Sequence, residues 1–365
     1  MGLRQGALES LAVSAEFWRG RRVLVTGHTG FKGAWLCWWL AHLGAKVAGF
    51  ALAPPTSPSL FEASGLAAAI DSVQGDVRDG PALERAFGVH RPEIVFHLAA
   101  QSLVRRSYRE PLETFSTNVL GTVQCLESAR RCDAVRAVVL ATTDKCYRNR
   151  GDGRAYRESD ELGGDDPYSA SKACAELAAH AYRRSFLDTG RALAATVRAG
   201  NVIGGGDWAE DRLVPDALRA FAAGQPLEVR NPDAVRPWQH VLDPLRGYLA
   251  LAERLHAGER PAATAWNFGP DEGDARPVSW LVDQLADRLG AKAAWRHDAG
   301  EHPHEAAELA LDSGKARAGL GWRPRLPIAE ALDWVVDWHK AASAPGSARA
   351  ATLDQIARYE ARAAR

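Results

Sequence analysis

Tyr168 and Lys172 stand at a Tyr-x-x-x-Lys spacing, so on a helix they share one face. An ammonium beside a phenol draws its pKa from about 10 toward working pH, and the phenolate then takes a proton from a hydroxyl. Upstream lies Thr142-Thr143-Asp144-Lys145-Cys146-Tyr147. A threonine hydroxyl there would hydrogen-bond the reacting oxygen. Oxidising an alcohol needs no more than Thr, Tyr and Lys. Asp144 and Lys145 add an acid and a base, and with them a second proton transfer. Read alone, they are a solvated ion pair at a strand end.

A proton taken from a carbinol needs a hydride acceptor. Gly27-His28-Thr29-Gly30-Phe31-Lys32-Gly33 is where one would be held. An apolar strand, 22–26, precedes it and a helix, 31–43, follows, which lifts a glycine pattern above chance. The first glycine permits the tight turn. The second lets backbone approach a pyrophosphate, and the third lets the helix pack on the strand. The helix N-terminus offers free N–H groups to the phosphates. The usual mark of NAD is an acid at the end of the second strand. Here that place reads Phe50-Ala51-Leu52-Ala53, with neither acid nor arginine, so NAD and NADP both stay open by this rule.

The elements that must position these groups alternate. Strands are predicted at 22–26, 46–50, 72–75, 93–97, 135–140 and 192–198, with helices at 31–43, 81–89, 112–130 and 166–187. This is the pattern of a Rossmann-like, doubly wound parallel α/β sheet. The strand runs are continuously apolar, as strands covered on both faces should be. Past residue 200 Gly, Pro and Trp become frequent and strands shorten. Residues 17–200 therefore read as the dinucleotide-binding domain and 201–340 as mainly a smaller substrate-binding lobe, with some segments returning to the sheet. Residues 341–365 read as a surface helix with a frayed end.

Composition bounds the rest. The chain has 365 residues, 46% hydrophobic and 25% charged, with 45 Lys plus Arg against 45 Asp plus Glu. No basic excess asks for nucleic acid or an anionic membrane. The cysteines, 37, 125, 132, 146 and 174, are odd in number and scattered, which argues against disulfides and a structural zinc and fits a reduced cytoplasmic setting. Residues 1–16 lack the apolar run of a signal peptide. Trp35, Trp38 and Trp39 read as a packed helix face, and the apolar run around them is too short to span a bilayer. His302 and His304 have no cysteine partner, and no metal is expected.

The Gly-x-x-Gly-x-x-Gly spacing resembles the extended short-chain dehydrogenases/reductases. In that resemblance Asp76-Val77 are the adenine contact, Leu98-Ala99-Ala100-Gln101 pass under the cofactor, and Thr143 rather than Thr142 is the hydroxyl, because it directly precedes Asp144. The acid/base pair narrows it to nucleotide-sugar 4,6-dehydratases. Members acting on dTDP- and GDP-sugars carry Asp-Glu after the threonine, whereas Asp-Lys followed by Cys-Tyr is similar to the CDP-glucose branch. Supporting stretches are 53–62, 101–111, 198–208 and 236–241.

The resemblance implies a deoxysugar-forming lyase with NAD, NADP not being excluded. Its catalytic residues would be Thr143, Asp144, Lys145, Tyr168 and Lys172. Its cofactor would lie on Gly27, Thr29, Gly30, Phe31, Lys32, Gly33, Asp76, Val77, Leu98, Ala99 and Ala100, with Tyr168 and Lys172. CDP-glucose would be held by Gln101, Asn201, Arg212 and Arg236, since a pyrophosphate wants cations and donors. Trp208 and Trp238 would stack on a base or pack in the core. A homodimer or higher homo-oligomer through 112–130 and 166–187 would follow. A nucleotide-sugar 4-epimerase on the same fold needs no elimination acid or base. A non-catalytic dinucleotide sensor should have lost Tyr168 and Lys172.

Overall fold

In the computed structural model, residues 13–187, 190–292, 295–300 and 309–362 are described. The first six sheet strands are β1 (Arg22–Thr26), β2 (Lys46–Ala51), β3 (Asp71–Gln74), β4 (Ile94–His97), β5 (Ala137–Ala141) and β6 (Leu193–Ala199). A seventh, Ala265–Phe268, adds beside β6, and the order runs Ala265–Phe268, β6, β5, β4, β1, β2, β3. Every pairing in this sheet is parallel.

Alternation within the strands explains the two covered faces. Val23, Val25, Ile94, Phe96, Ala137, Val139, Ala195 and Val197 enter one core. Leu24, Val95, Val138, Leu140 and Ala194 enter the other. The first core takes the helix Phe31–His42, whose three tryptophans are all buried, and the helix Leu242–His256. Each indole N–H finds an acceptor: Gly205 O for Trp35, Ser64 Oγ for Trp38 and Glu360 Oε1 for Trp39. The second core takes helices Gly80–His90, Gly121–Arg131 and Pro167–Tyr182.

The expected lobe is interleaved. Its ribbons pair Leu227–Val229 with Trp295–His297 and Val235–Pro237 with Ala275–Pro277. Between them, residues 242–268 leave to supply a core helix and the seventh strand. The C-terminal segment adds to the sequence reading. Ala348–Glu360 is a helix with one face exposed and the other docked, Ile356 and Tyr359 being fully buried. Tyr359 donates to Asp243 Oδ1 at 2.6 Å, and Thr352 accepts from Trp338 Nε1 at 3.0 Å. Burying two such side chains contributes about 1.5–3 kcal/mol each. Its low amphipathic contrast hid this: alanines fill much of the packed side.

Candidate active site

The C-terminal ends of β1, β4, β5 and β6 open into one cleft of about 1210 Å³. This is where an open parallel sheet binds its ligands. Thr29, Gly30, Phe31, Lys32, Asp76, Val77, Leu98, Ala99, Ala100, Thr143, Asp144, Lys145, Tyr168, Lys172, Asn201, Arg212 and Arg236 all line it, as do Gly27, Gly33 and Gln101. The sequence-derived site residues therefore converge.

At one end the glycine turn is shaped by exclusion. Gly27 has φ +78°, and a Cβ there would lie 2.7 Å from Ala99 N. A Cβ on Gly33 would lie 2.1 Å from Gly27 O. Gly30 differs: a Cβ would meet only Gly27 O, at 3.5 Å, and would fill the cleft instead. Gly30 caps the helix Phe31–His42 and leaves the N–H groups of its first turn facing that space. Backbone bare of side chains, over a helix N-terminus, fits a pyrophosphate. Farther along the cleft, Arg78 grips Asp76 through Nε and Nη2, 2.9 and 2.5 Å from Oδ2, and holds its carboxyl below the usual range.

At the centre, Tyr168 begins the helix Pro167–Tyr182 in hydrogen-bond contact with the Thr143 hydroxyl. Here the structure corrects the sequence reading. Burial pushes the Tyr168 phenol up to about 12, against the pull of Thr143 and Arg212. Burial pushes Lys172 down to about 8, and its Nζ donates to Ala141 O at 3.0 Å. Lys32, first-turn neighbour of Phe31, is another cleft cation. Burial, with Arg212 and Lys172 nearby, takes it down to about 7, and its Nζ sits 5.8 Å from the Tyr248 ring centroid.

Asp144 and Lys145 form a short turn after β5, capped by Thr143. They are not a solvated pair. Asp144 is buried, with side-chain exposure of 1%, while Lys145 keeps 26%. Asp144 Oδ1 accepts from Thr143 Oγ1 at 2.9 Å and from Lys145 Nζ at 3.3 Å. Its other oxygen, Oδ2, is buried with no hydrogen-bond partner. A buried carboxylate oxygen left so is costly as a structural device and useful as a chemical one.

At the far end, Arg212 is tied to Asp207 at 3.0 Å and to Ser102 Oγ at 3.0 Å. Arg236 is buried on Val235–Pro237, and Asn201 Oδ1 is buried without a partner. Gln101 departs from the expected role. Its amide is engaged by Leu103 N, Leu103 O and Thr114 Oγ1, so it braces the 101–118 segment. Trp238 is core, its N–H on Arg276 O. Trp208 packs edge-on against Trp338. His302 and His304 lie outside the described residues. Among the described residues no cluster of three His, Cys, Asp or Glu could hold a metal, the five cysteines are free, and no helix is long and apolar enough to cross a membrane.

Sequence reasoning missed Glu176, Arg198 and Asn267. The first was within reach, because Tyr168, Lys172 and Glu176 form an i, i+4, i+8 row on one helix face.

This chain is 51% identical over 335 residues to the CDP-glucose 4,6-dehydratase of Salmonella typhimurium, covering 90% of this chain and 93% of that protein. It is 32% identical to a dTDP-glucose 4,6-dehydratase of Streptomyces antibioticus, over 74% of this chain and 77% of that one. Among solved structures, a dTDP-glucose 4,6-dehydratase from Streptomyces venezuelae with NAD bound shares 29% identity at TM-score 0.74, over 87% of this chain and 97% of that one. A Thermus thermophilus UDP-glucose 4-epimerase in complex with NAD gives 26% and 0.75, over 87% and 98%. The GDP-mannose 4,6 dehydratase family model matches residues 24–334. With that match spanning most of the chain and the cleft bearing the residues that the chemistry asks for, the chain belongs to the GDP-mannose 4,6 dehydratase family.

Proposed function

We propose that this chain is an NAD-dependent CDP-glucose 4,6-dehydratase, a hydro-lyase that forms CDP-4-keto-6-deoxyglucose. The observation that carries it is Asp144-Lys145 sharing a cleft with Tyr168 and Lys172. An oxidation or a 4-epimerisation uses the Tyr and Lys but has no work for the added pair. The choice of CDP-glucose follows the Salmonella relative.

The cofactor would lie on Gly27, Thr29, Gly30, Phe31, Lys32 and Gly33, with Asp76 and Val77 at the adenine and Leu98, Ala99 and Ala100 beneath. Bound there, NAD supplies the acceptor for the C4 hydride and the donor that returns it to C6. Tyr168, steadied by Thr143 and Lys172, takes the proton of the C4 hydroxyl. The resulting 4-keto group acidifies C5–H, whose proton goes to Lys145. Asp144 serves as the acid for the departing C6 hydroxyl, which leaves as water. The proton restored at C5 then comes from solvent through Lys145. Asn201, Arg212 and Arg236 hold the sugar pyrophosphate, with Gln101 bracing the loop beside it.

The same reading includes a reduced cytoplasmic setting, supported by the free cysteines, and a homodimer. Support for the dimer is a set of exposed apolar side chains on these helical segments: Leu112 is 86% exposed, and Leu120, Leu177 and Phe186 are also exposed.

The test is turnover of CDP-glucose in heavy water, followed by product mass. Loss of one water with solvent deuterium at C5 is the expected result. Unchanged sugar, or epimerisation without loss of water, would sink the proposal.

A further inference from the structure

The turn that carries Asp144 and Lys145 is three residues long, and a turn of that length does not hold its own shape. Its two ends are held by one buried ion pair between elements distant in sequence. Glu176, on the helix that bears Tyr168 and Lys172, pairs with Arg198 on β6, and their side chains are 2% and 3% exposed. Arg198 Nε and Nη2 reach the two carboxylate oxygens at 2.9 and 2.8 Å. Thr142 Oγ1 donates to Glu176 Oε1 at 2.5 Å, and Thr196 Oγ1 to Oε2 at 2.8 Å. Glu176 is therefore fully satisfied and held ionised by Arg198, in spite of its burial.

The free end of the fork goes to the other side of the turn. Arg198 Nη1 donates to the Tyr147 hydroxyl at 2.7 Å, and that hydroxyl donates to Asn267 Oδ1, also at 2.7 Å. The guanidinium lies over the Tyr147 ring at 4.8 Å, and Tyr147 stacks on Tyr156 at 4.9 Å. Asn267 in turn donates to Tyr156 O and Asp312 O. So the residue before Thr143 and the residue after Cys146 are both fastened to one charged pair.

We infer that Glu176 and Arg198, acting through Thr142 and Tyr147, are positioning residues for the elimination step, fixing where the Asp144 and Lys145 side chains meet the sugar. The inference rests on the proposed dehydration. Oxidation at C4 rests mainly on Tyr168 and Lys172, which sit on the 16-residue helix Pro167–Tyr182, and uses from the turn only its cap residue Thr143. Proton removal at C5 depends on a side chain projected from the turn itself. Misplacement by about 1 Å is enough to cost up to a hundredfold in a reaction of this kind. A loosened turn should thus slow the second step and spare the first.

Two mild variants test this at opposite ends of the turn. Tyr147→Phe removes one hydroxyl and keeps the ring. Thr142→Val removes one hydroxyl and keeps the volume. With each, single-turnover formation of reduced nicotinamide from CDP-glucose reports C4 oxidation, and deuterium uptake at C5 reports elimination. The expected result is C5 exchange slowed about tenfold with C4 oxidation within about twofold of wild type. Reduced cofactor should then accumulate, and the melting curves should show folded protein. A general loss of structure would lower both steps together, and that outcome, or no change in either, overturns the inference. Wild-type protein that neither oxidises CDP-glucose nor exchanges C5 removes the proposed function, and this inference with it. Normal wild-type turnover with unchanged variants removes the inference alone.

Discussion

The glycine turn at 27–33 and the acid/base turn at 143–147 each follow a parallel strand and open onto the same cleft, yet different forces hold them. The first is a backbone object. Gly27 N donates to Phe50 O at 3.0 Å and Gly30 N to Gly27 O at 3.1 Å, and two of its glycines have no room for a Cβ. The second is a side-chain object, clamped through Thr142 and Tyr147 by partners at 176, 198 and 267. A site that must accept the same dinucleotide phosphates can be built from local sterics. A site that must aim two side chains at two atoms of a sugar needs reinforcement from across the fold.

The largest test of that difference is Lys145→Ala. Overall turnover should fall about 10²–10⁴-fold while reduced nicotinamide still forms from CDP-glucose, because in the proposed reaction the lysine acts only after C4 is oxidised. If C5 exchange continued at the normal rate, Lys145 would not be the base and the second turn would lose its special role.

The next test contrasts two glycines three residues apart. Gly33→Ala drives a Cβ into Gly27 O and should cost about 1–3 kcal/mol of stability, visible as a lower Tm. Gly30→Ala should leave stability within about 1 kcal/mol yet weaken NAD binding about tenfold, since its Cβ enters the phosphate space. Equal effects from the two substitutions, in calorimetric titration and melting, would mean that the turn is not divided into a structural and a binding glycine.

The last test turns on pH. Burial holds His28, in the glycine turn, down to about 4, and His97, at the end of β4, down to about 3. Between those values and the ordinary value near 6.5 the unfolded chain binds protons that the folded chain refuses. Stability is therefore complete above about 6.5 and falls as pH drops, by about 1.4 kcal/mol per unit for each such histidine. Asp243, pushed up from 3.8 to about 6 by burial, offsets one of them across that interval. Tm should decline from pH 6.5 toward 4.5, and replacing His28 by Gln should flatten the slope by one proton. A slope unchanged in that variant would place the effect elsewhere.

What the sequence reveals follows the same division. Continuous apolar runs such as Arg22–Thr26 disclose the parallel sheet, and glycines disclose the phosphate turn, because both are local consequences of backbone geometry. Tyr168, Lys172, Asp144 and Lys145 are legible as types at a spacing. Their electrostatics are not: the expected lowering of the Tyr168 phenol gives way to burial, which depends on what covers it. Gln101 looked like a ligand and is a brace, since Thr114 and Leu103 reach it only in the folded chain. The docked face of Ala348–Glu360 is hidden for a related reason. Its partners, Trp39 and Asp243, lie hundreds of residues away or in another helix.

The seventh strand has a consequence for how the molecule is made. Ala265–Phe268 completes the sheet beside β6, and Tyr248, on the helix before it, packs against Phe268. A chain emerging from the ribosome thus displays six strands and a finished glycine turn while one flank of β6 is still bare. That exposed edge invites pairing with another nascent chain until residue 268 arrives. A fragment ending near residue 200 would carry the whole glycine turn and still present an unpaired strand to its neighbours.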